Sequence, residues 1–259
     1  MTSPVLHFVE REALIYRRLW KGVAFSQFIQ PTLYLFAMGI GLGGMIEAAG
    51  HQVGGLSYLE FVAPGLMAAT TLQSGTSEAL WPILAGFKWM GFYHGMAASP
   101  MRPTDVYLGV IVWLTIRLTV TATVFLIVAT AIGAVLSPWG LLAIPSAVLC
   151  ALALAAPLAA FSATQETDHR FPLVLRFITL PMFLFSATFF PLSQLPAALR
   201  PVAWVSPLWH GVELCRDATT GTIGPAGAAG VTVHLAVLAA YITLGSLWGM
   251  RAFTRRLTA

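Results

Sequence analysis

The sequence predicts an all-α membrane protein: six transmembrane helices, an N-terminal amphipathic interface helix, and an external re-entrant helical hairpin between spans five and six. Three observations carry this. Only 9% of the 259 residues are charged and 58% are hydrophobic, with a mean hydropathy of +0.79, whereas a soluble domain carries roughly 25% charged residues to keep a wet surface. The apolar residues fall in runs long enough to cross a ~30 Å hydrocarbon core. The basic residues gather at the ends of those runs, where they set orientation.

The first segment, residues 1–21, reads as the interface helix. Leu6, Val9, Ala13, Tyr16 and Trp20 recur at spacings of three and four, while Glu10, Arg11, Arg17, Arg18 and Lys21 fall elsewhere. Such a helix lies flat with its basic groups towards anionic lipid. It serves as an anchor for the first span or as a docking helix for a cytosolic partner, and the two roles are compatible.

Residues 22–256 form the transmembrane domain. Span one, 22–46, contains no charge. Span two, 58–83, has Glu60 near its outer end and Glu78 towards the inner one. Span three, 104–136, carries one internal charge, Arg117. Ser137-Pro138-Trp139-Gly140 supplies the turn into span four, 141–163. Spans five and six cover 172–190 and 228–250.

With six spans, Arg11, Arg17, Arg18, Lys21, Lys88, Arg102, Arg170, Arg176, Arg251, Arg255 and Arg256 share one side. The opposite loops hold only Arg200 and Arg216. The positive-inside rule then puts both termini in the cytoplasm of a multi-pass inner-membrane protein.

Two connections are not ordinary loops. Between Leu84 and Pro103, the residues Phe87, Trp89, Met90, Phe92, Tyr93 and Met96 have the make-up of a contact surface. Thr104 and Asp105 are set to cap the next helix. This segment reads as an interfacial half-helix against lipid, or as a short helix inserted in a partner's cleft. Between spans five and six, Pro191, Pro196, Pro201 and Pro207 break any single helix. The length suits two short helices dipping into the membrane and out. Glu213 and Arg216, three apart, pair on a helix surface, a contact that contributes little.

The search for chemistry is mostly negative. A phosphate-cradling loop needs GxxxxGK[ST], but the only lysines, Lys21 and Lys88, are followed by Gly22 and Trp89. The six histidines are isolated from one another in sequence and form no zinc pattern. Cys150 and Cys215 have no metal spacing, and no disulfide is expected. Catalytic, cofactor-binding and metal-binding residues are therefore expected to be absent, and no nucleic-acid partner is indicated. Arg117 and Glu78 are charges inside the membrane. They form a proton relay, or Arg117 makes a buried contact with Gln73 or Glu78. The sequence favours the contact, because Arg117 alone lies deep.

Four stretches carry a family resemblance: Y-L-E-F-V-A-P-G-L from Tyr58 to Leu66, M-A-A-S-P-M-R-P-T-D-V from Met96 to Val106, F-S-A-T-F-F-P-L-S-Q-L-P from Phe185 to Pro196, and P-L-W-H-G-V-E-L-C-R from Pro207 to Arg216. They resemble the ABC-2 permease family, in the branch of nodulation-factor (lipo-oligosaccharide), polysaccharide and drug exporter permeases. Pro64 and Arg170 depart from the expected pattern.

The resemblance implies the type V exporter fold of a bacterial inner membrane. It also implies a dimer of this chain, or a pair with a related permease, and two cytosolic ATPase subunits that hold ATP and Mg. Residues 86–99 become the coupling helix, with Phe87, Lys88, Trp89, Phe92, Tyr93, His94, Met96 and Ser99 towards the ATPase. Residues 191–217 become the re-entrant segment at the exit, with Pro191, Pro196, Pro207, His210, Glu213 and Arg216. The first, second and fifth spans line the path, where Phe28, Tyr34, Phe36, Phe177, Phe183, Phe185 and Phe189 serve as aromatic lining or as ordinary core. The implied cargo is amphipathic: a lipid-linked saccharide, a glycolipid or a hydrophobic drug. The competing reading is a proton-coupled secondary transporter using Glu78 and Arg117.

Overall fold

A computed structural model of the chain describes residues 3–48, 55–224 and 227–258; for 19–21, 23–28, 30–31, 40 and 46–48 it describes the backbone alone. Among the described residues the fold is helical throughout, with no strand.

The first helix, α1 (Pro4–Tyr34), runs on through a π-helical stretch at Leu35–Leu42 into α2 (Gly43–Ala48). There is no break at residue 21, where the sequence suggested a separate interface helix, because no proline falls between Val5 and Gln30 and Gly22 alone weakens a helix without ending it. The buried stripe differs too. Phe8 is buried whereas Leu6, Leu14 and Ile15 are exposed.

α3 (Tyr58–Leu84) starts at a capping box: Ser57 Oγ accepts from Glu60 N at 3.3 Å, and Glu60 Oε2 accepts from Ser57 N at 2.8 Å. A π-helical turn at Ala85–Trp89 and the short α4 (Phe92–Ala97) follow it. α5 (Pro103–Ala131) begins with Arg102 as its cap residue, whose amide donates to Asp105 Oδ2 at 3.1 Å; Thr104 already lies inside the helix. α5 stops at Ala131 rather than running to 136, because Gly133 adopts φ +80.

A 3-10 turn at Pro138–Leu142 leads into α6 (Ala143–Ala163). The expected fifth span is broken into α7 (Phe171–Val174), a π-helical turn at Leu175–Thr179, α8 (Leu180–Phe185) and irregular backbone from 186 to 190. Pro181 cannot donate four residues back, so the wide turn sits just before it. A 3-10 turn at Leu192–Gln194 precedes α9 (Arg200–Val205) and α10 (Pro207–Thr220). α11 (Gly227–Thr258) continues eight residues past the expected end at 250. Arg255 and Arg256 suit its last turn, where the helix dipole is negative.

Among the described residues, three helices are long and apolar enough to cross a membrane: Pro103–Ala131, Pro138–Ala163 and Gly227–Thr258, with mean hydropathies of 2.1, 2.3 and 1.7. The core is built on α3 and α6. α6 is an alanine-rich rod, buried along nearly its whole length. Alanines let neighbouring helices approach closely, which suits packing without a water-driven force. α11 lies against it so tightly that a Cβ on Gly245 would stand 2.6 Å from Pro157 N. α1 packs alongside α5 in parallel: Phe8 covers Gly109, and Tyr16, eight residues on, meets Trp113 edge-on at 5.9 Å. The segment expected to lie flat therefore climbs with α5.

Contacts between connections define two ends of the bundle. Lys88, Glu166 and Arg256 join the 85–99 segment, the 164–170 loop and the last turns of α11 at one end. At the other, Leu136 N and Ser137 N both donate to Thr219 O at 3.0 Å, tying the α5–α6 turn to the end of α10.

Candidate functional site

At the first end, the 85–99 segment has an inner and an outer face. Phe87 and Tyr93 are buried at 3% exposure. Phe87 meets Tyr93 edge-on at 4.8 Å and Phe253 at 5.0 Å, Tyr107 meets Phe253 at 5.2 Å, and the Arg256 guanidinium lies 4.6 Å from the Phe87 ring. This cluster joins the segment to α5 and α11. Phe87 and Tyr93 therefore do not face outwards, contrary to the sequence reading: the chain is buried through Phe87, turns out at Lys88–Met90 and brings Tyr93 back in against Phe87. Lys88, Trp89, Met90, His94 and Ser99 are exposed, and Phe92 and Met96 are half-buried. The Ser99 hydroxyl donates to Met96 O at 2.6 Å and closes the segment. Glu166 is held below the ordinary carboxylate range by its hydrogen bond from Lys88, with Arg256 adding to it.

α1, α3 and the broken helix 171–185 line an open cavity of about 450 Å3 on the side of the bundle. Tyr34, Phe183 and Leu180 are its apolar walls; Gln73, Arg176 and Thr179 are its polar groups. Thr179 Oγ1 is buried and has no hydrogen-bond partner, so it offers one donor and an acceptor to an occupant. Gln73 is exposed where the long buried run of α3 from Phe61 to Leu72 ends. Of the aromatic residues read from the sequence, Tyr34 and Phe183 line this cavity, and Phe189 stacks edge-on behind Phe183 at 5.1 Å. Phe36 and Phe177 point outwards, at 50% and 69% exposure. Phe185 is half-buried away from the lining, and the Phe28 side chain lies outside the described residues. Sequence reasoning placed none of Gln73, Arg176 and Thr179 in a cavity, and named Gln73 only as an alternative partner of Arg117. The polar run Gln73-Ser74-Gly75-Thr76-Ser77-Glu78 within an apolar span was the signal for the first of them.

Arg117 and Glu78 form a two-pronged ion pair, Nη1–Oε2 at 2.9 Å and Nη2–Oε1 at 2.7 Å. The Tyr16 ring lies 5.4 Å from the guanidinium. Both charges are thereby matched, and Gln73 is not the partner.

The segment after α8 is pinned by a cation. Arg216 donates to Glu213 at 2.7 Å and to Ala187 O at 2.9 Å, and its guanidinium lies 4.1 Å from the Phe61 ring. The pair is mostly enclosed, with side-chain exposures of 13% and 24%, so it is not the surface contact expected from spacing. Ala187 takes φ 57, a left-handed conformation that costs an L-residue about 1–2 kcal/mol. Its neighbour Thr188 lies against α3, where a Cβ on Gly65 would stand 2.8 Å from Thr188 O. Pro191 is half-buried, Pro196 exposed and Pro207 buried. Pro207 O accepts from the Cys150 thiol at 3.6 Å, and Val205 O accepts from Tyr241 Oη at 2.9 Å. The α9–α10 corner is thus held against the inner lengths of α6 and α11.

His210 and His234, isolated in sequence, meet there with Nδ1 atoms 2.7 Å apart, and His210 Nε2 lies 2.9 Å from Trp204 O. A carbonyl only accepts, so His210 Nε2 carries the hydrogen; in the neutral pair His234 Nδ1–H then donates to His210 Nδ1. Among the described residues, no group of three potential metal ligands exists.

Residues 5–219 match the family model described as "ABC-2 type transporter". The chain belongs to that family: it is a membrane transport subunit of the permease type, whose family implies an ATPase partner. It is similar to nodulation protein J of Rhizobium leguminosarum bv. viciae, 27% identical over 242 residues, covering 92% of this chain and 90% of the relative. Nodulation protein J of Neorhizobium galegae is 28% identical over 245 residues, with the same coverages of 92% and 90%. That of Rhizobium leguminosarum bv. trifolii is 26% identical over 242 residues, covering 92% and 89%.

Proposed function

We propose that this chain is the permease of an ATP-driven exporter that moves an amphipathic substrate from the cytoplasm or inner leaflet outwards. The observation that carries this reading is the cavity between α1, α3 and the 171–185 helix. Aromatic and aliphatic walls suit an apolar body, while Gln73, Arg176 and the unpartnered Thr179 hydroxyl suit a polar head. A lipid-linked saccharide, a glycolipid and a hydrophobic drug all have that form.

In this reading the chain crosses the bacterial inner membrane six times, through α1 with its π-helical continuation, α3, α5, α6, the broken helix 171–185 and α11. Both termini are cytoplasmic. The basic residues at the Lys88–Glu166–Arg256 end agree with this. Residues 191–220 re-enter the membrane from outside, which is why backbone groups at Val205 and Pro207 find partners in the protein. Two copies, or this chain and a related permease, enclose the path. The sequence holds no nucleotide motif, so ATP and Mg sit on two copies of the ATPase.

Lys88, Trp89, Met90 and His94 form the surface that meets the ATPase. Phe87 and Tyr93 act behind it, as the aromatic cluster through which movement of that surface is passed to α5 and α11. Closure of the ATPase pair then biases the permease between inward and outward forms.

The test is purification of the full chain from its native membrane. A Walker-type ATPase is expected to accompany the wild type and to be lost from a W89A/M90A variant of unchanged melting temperature. Transport by the chain alone, in ATP-free vesicles under a proton gradient, would overturn the reading in favour of a secondary transporter built on Glu78 and Arg117.

A further inference from the structure

We propose that the basic end of α11 holds a site for the phosphate of an anionic amphiphile, with Arg251 and Arg255 as its ligands. A cavity of about 430 Å3 lies between the end of α6 and the last turns of α11, walled by Thr164, Glu166, Trp248, Arg251 and Arg255. Positions 248, 251 and 255 share one face of the helix.

The arginines there are not equivalent. Arg256 is spent on the protein: it donates to Ala163 O and Gln165 O, both at 2.7 Å, and to Glu166 at 3.4 Å. Glu166 also takes Lys88. The one carboxylate in the wall is therefore matched by two cations. Arg251 and Arg255 are exposed and have no acceptor or carboxylate among the described residues. Four apart on a helix, they repel each other, and an anion between them relieves that repulsion. Guanidinium groups match phosphate oxygens with paired hydrogen bonds. The nearby C-terminal helix ends present negative dipoles, so these two side chains alone supply the attraction.

The surroundings select a lipid head over a free anion. Trp248 sits one turn nearer the apolar part of α11, the place an indole takes at headgroup level. Beyond it Leu244 and Leu247 are exposed, at 68% and 44%. A phosphate held by Arg251 and Arg255 would have its acyl chain running along that strip. None of this depends on what the protein transports.

The experiment is native mass spectrometry of the full chain in detergent, titrated with phosphatidylglycerol or phosphatidylcholine. R251Q/R255Q is expected to weaken phosphatidylglycerol about thirtyfold, from roughly one surface arginine's attraction each, and to leave phosphatidylcholine unchanged. R102Q removes another exposed arginine, one with no lipid contact assigned to it, and is expected to change little. R251K/R255K, which keeps the charge, should recover most of the affinity and shows that any loss is not misfolding. Equal losses in the two glutamine variants, or none in R251Q/R255Q, overturn the site. Displacement of phosphatidylglycerol by millimolar inorganic phosphate overturns the lipid and leaves a free-anion site.

Discussion

The two ends of the bundle are held by opposite means. At the Lys88–Glu166–Arg256 end, rings pack on rings and the Lys88–Glu166 pair lies outside, in water. At the other, one enclosed cation, Arg216, holds a left-handed alanine and the irregular backbone after α8 where it lies against α3. An aromatic cluster is redundant, because each ring has several neighbours. A single buried guanidinium is not. The first end is built to move as a block; the second is a set of short pieces tied by single polar contacts, with Arg216 as its charged clasp.

Four changes test that contrast, the largest first. R216A leaves Glu213 enclosed without its cation and Ala187 O without its donor, and should cost about 3–5 kcal/mol. Urea or thermal unfolding in detergent measures it; a loss below about 1 kcal/mol would mean the clasp is not needed. F253A, in the ring cluster, should cost about 3–4 kcal/mol. Its local effect should be shared, with slow amide exchange retained in α3 and lost around 85–97.

The third and fourth changes concern acidity, where the ends have opposite signs. Burial pushes the Asp217 carboxyl up to about 6, with Glu213 adding to it. A carboxyl raised in this way binds its proton more tightly folded than unfolded. The stability it contributes is present at low pH and is lost as pH rises from the ordinary aspartate range through about 6. D217N should therefore stabilise at pH 7 by about 1 kcal/mol, the shift being discounted for solvent, and should flatten the profile over that window. Glu166 is lowered, so its contribution is present above the unfolded value and lost as pH falls through its lowered one. E166Q should remove that acid-side loss, with the smallest effect of the four and one that vanishes in high salt. Identical pH profiles for D217N and E166Q would erase the distinction between the ends.

Much of this contrast was legible in the residues. The long charge-free runs, the turn at Ser137–Gly140 and a buried partner for Arg117, Gln73 or Glu78, follow from hydropathy and the cost of an unmatched charge; only the structure decides for Glu78. The interruptions at 175–190 did not follow, because prolines mark where a helix is weakened but not whether tertiary contacts let it resume. The inward turn of Phe87 and Tyr93 was hidden for a related reason. An aromatic stretch suits a partner's surface and its own core equally, and only the positions of Phe253 and Tyr107 decide. The cavity was half visible, since Gln73 stands in a polar run, but Thr179 and Arg176 join it only through the fold of another segment. His210 and His234 are 24 residues apart and meet only because the α9–α10 corner turns back.

The length of α11 has a mechanical consequence. Its 32 residues span about 48 Å at 1.5 Å per residue, against a hydrocarbon layer of ~30 Å. The surplus is asymmetric. One tip is Gly227, Ala228, Ala229 and Gly230, which lose little by leaving or entering lipid; the other carries Arg251, Arg255 and Arg256. α11 is locked to α6 at Gly245 and Arg256, so it shifts in depth only with the bundle. Lipid resists a shift towards the basic end little at the Gly227 tip, while a shift the other way drags Arg251 into hydrocarbon first, at a cost rising towards about 3 kcal/mol at the centre. The helix therefore acts as a depth stop for the whole bundle, on its basic side.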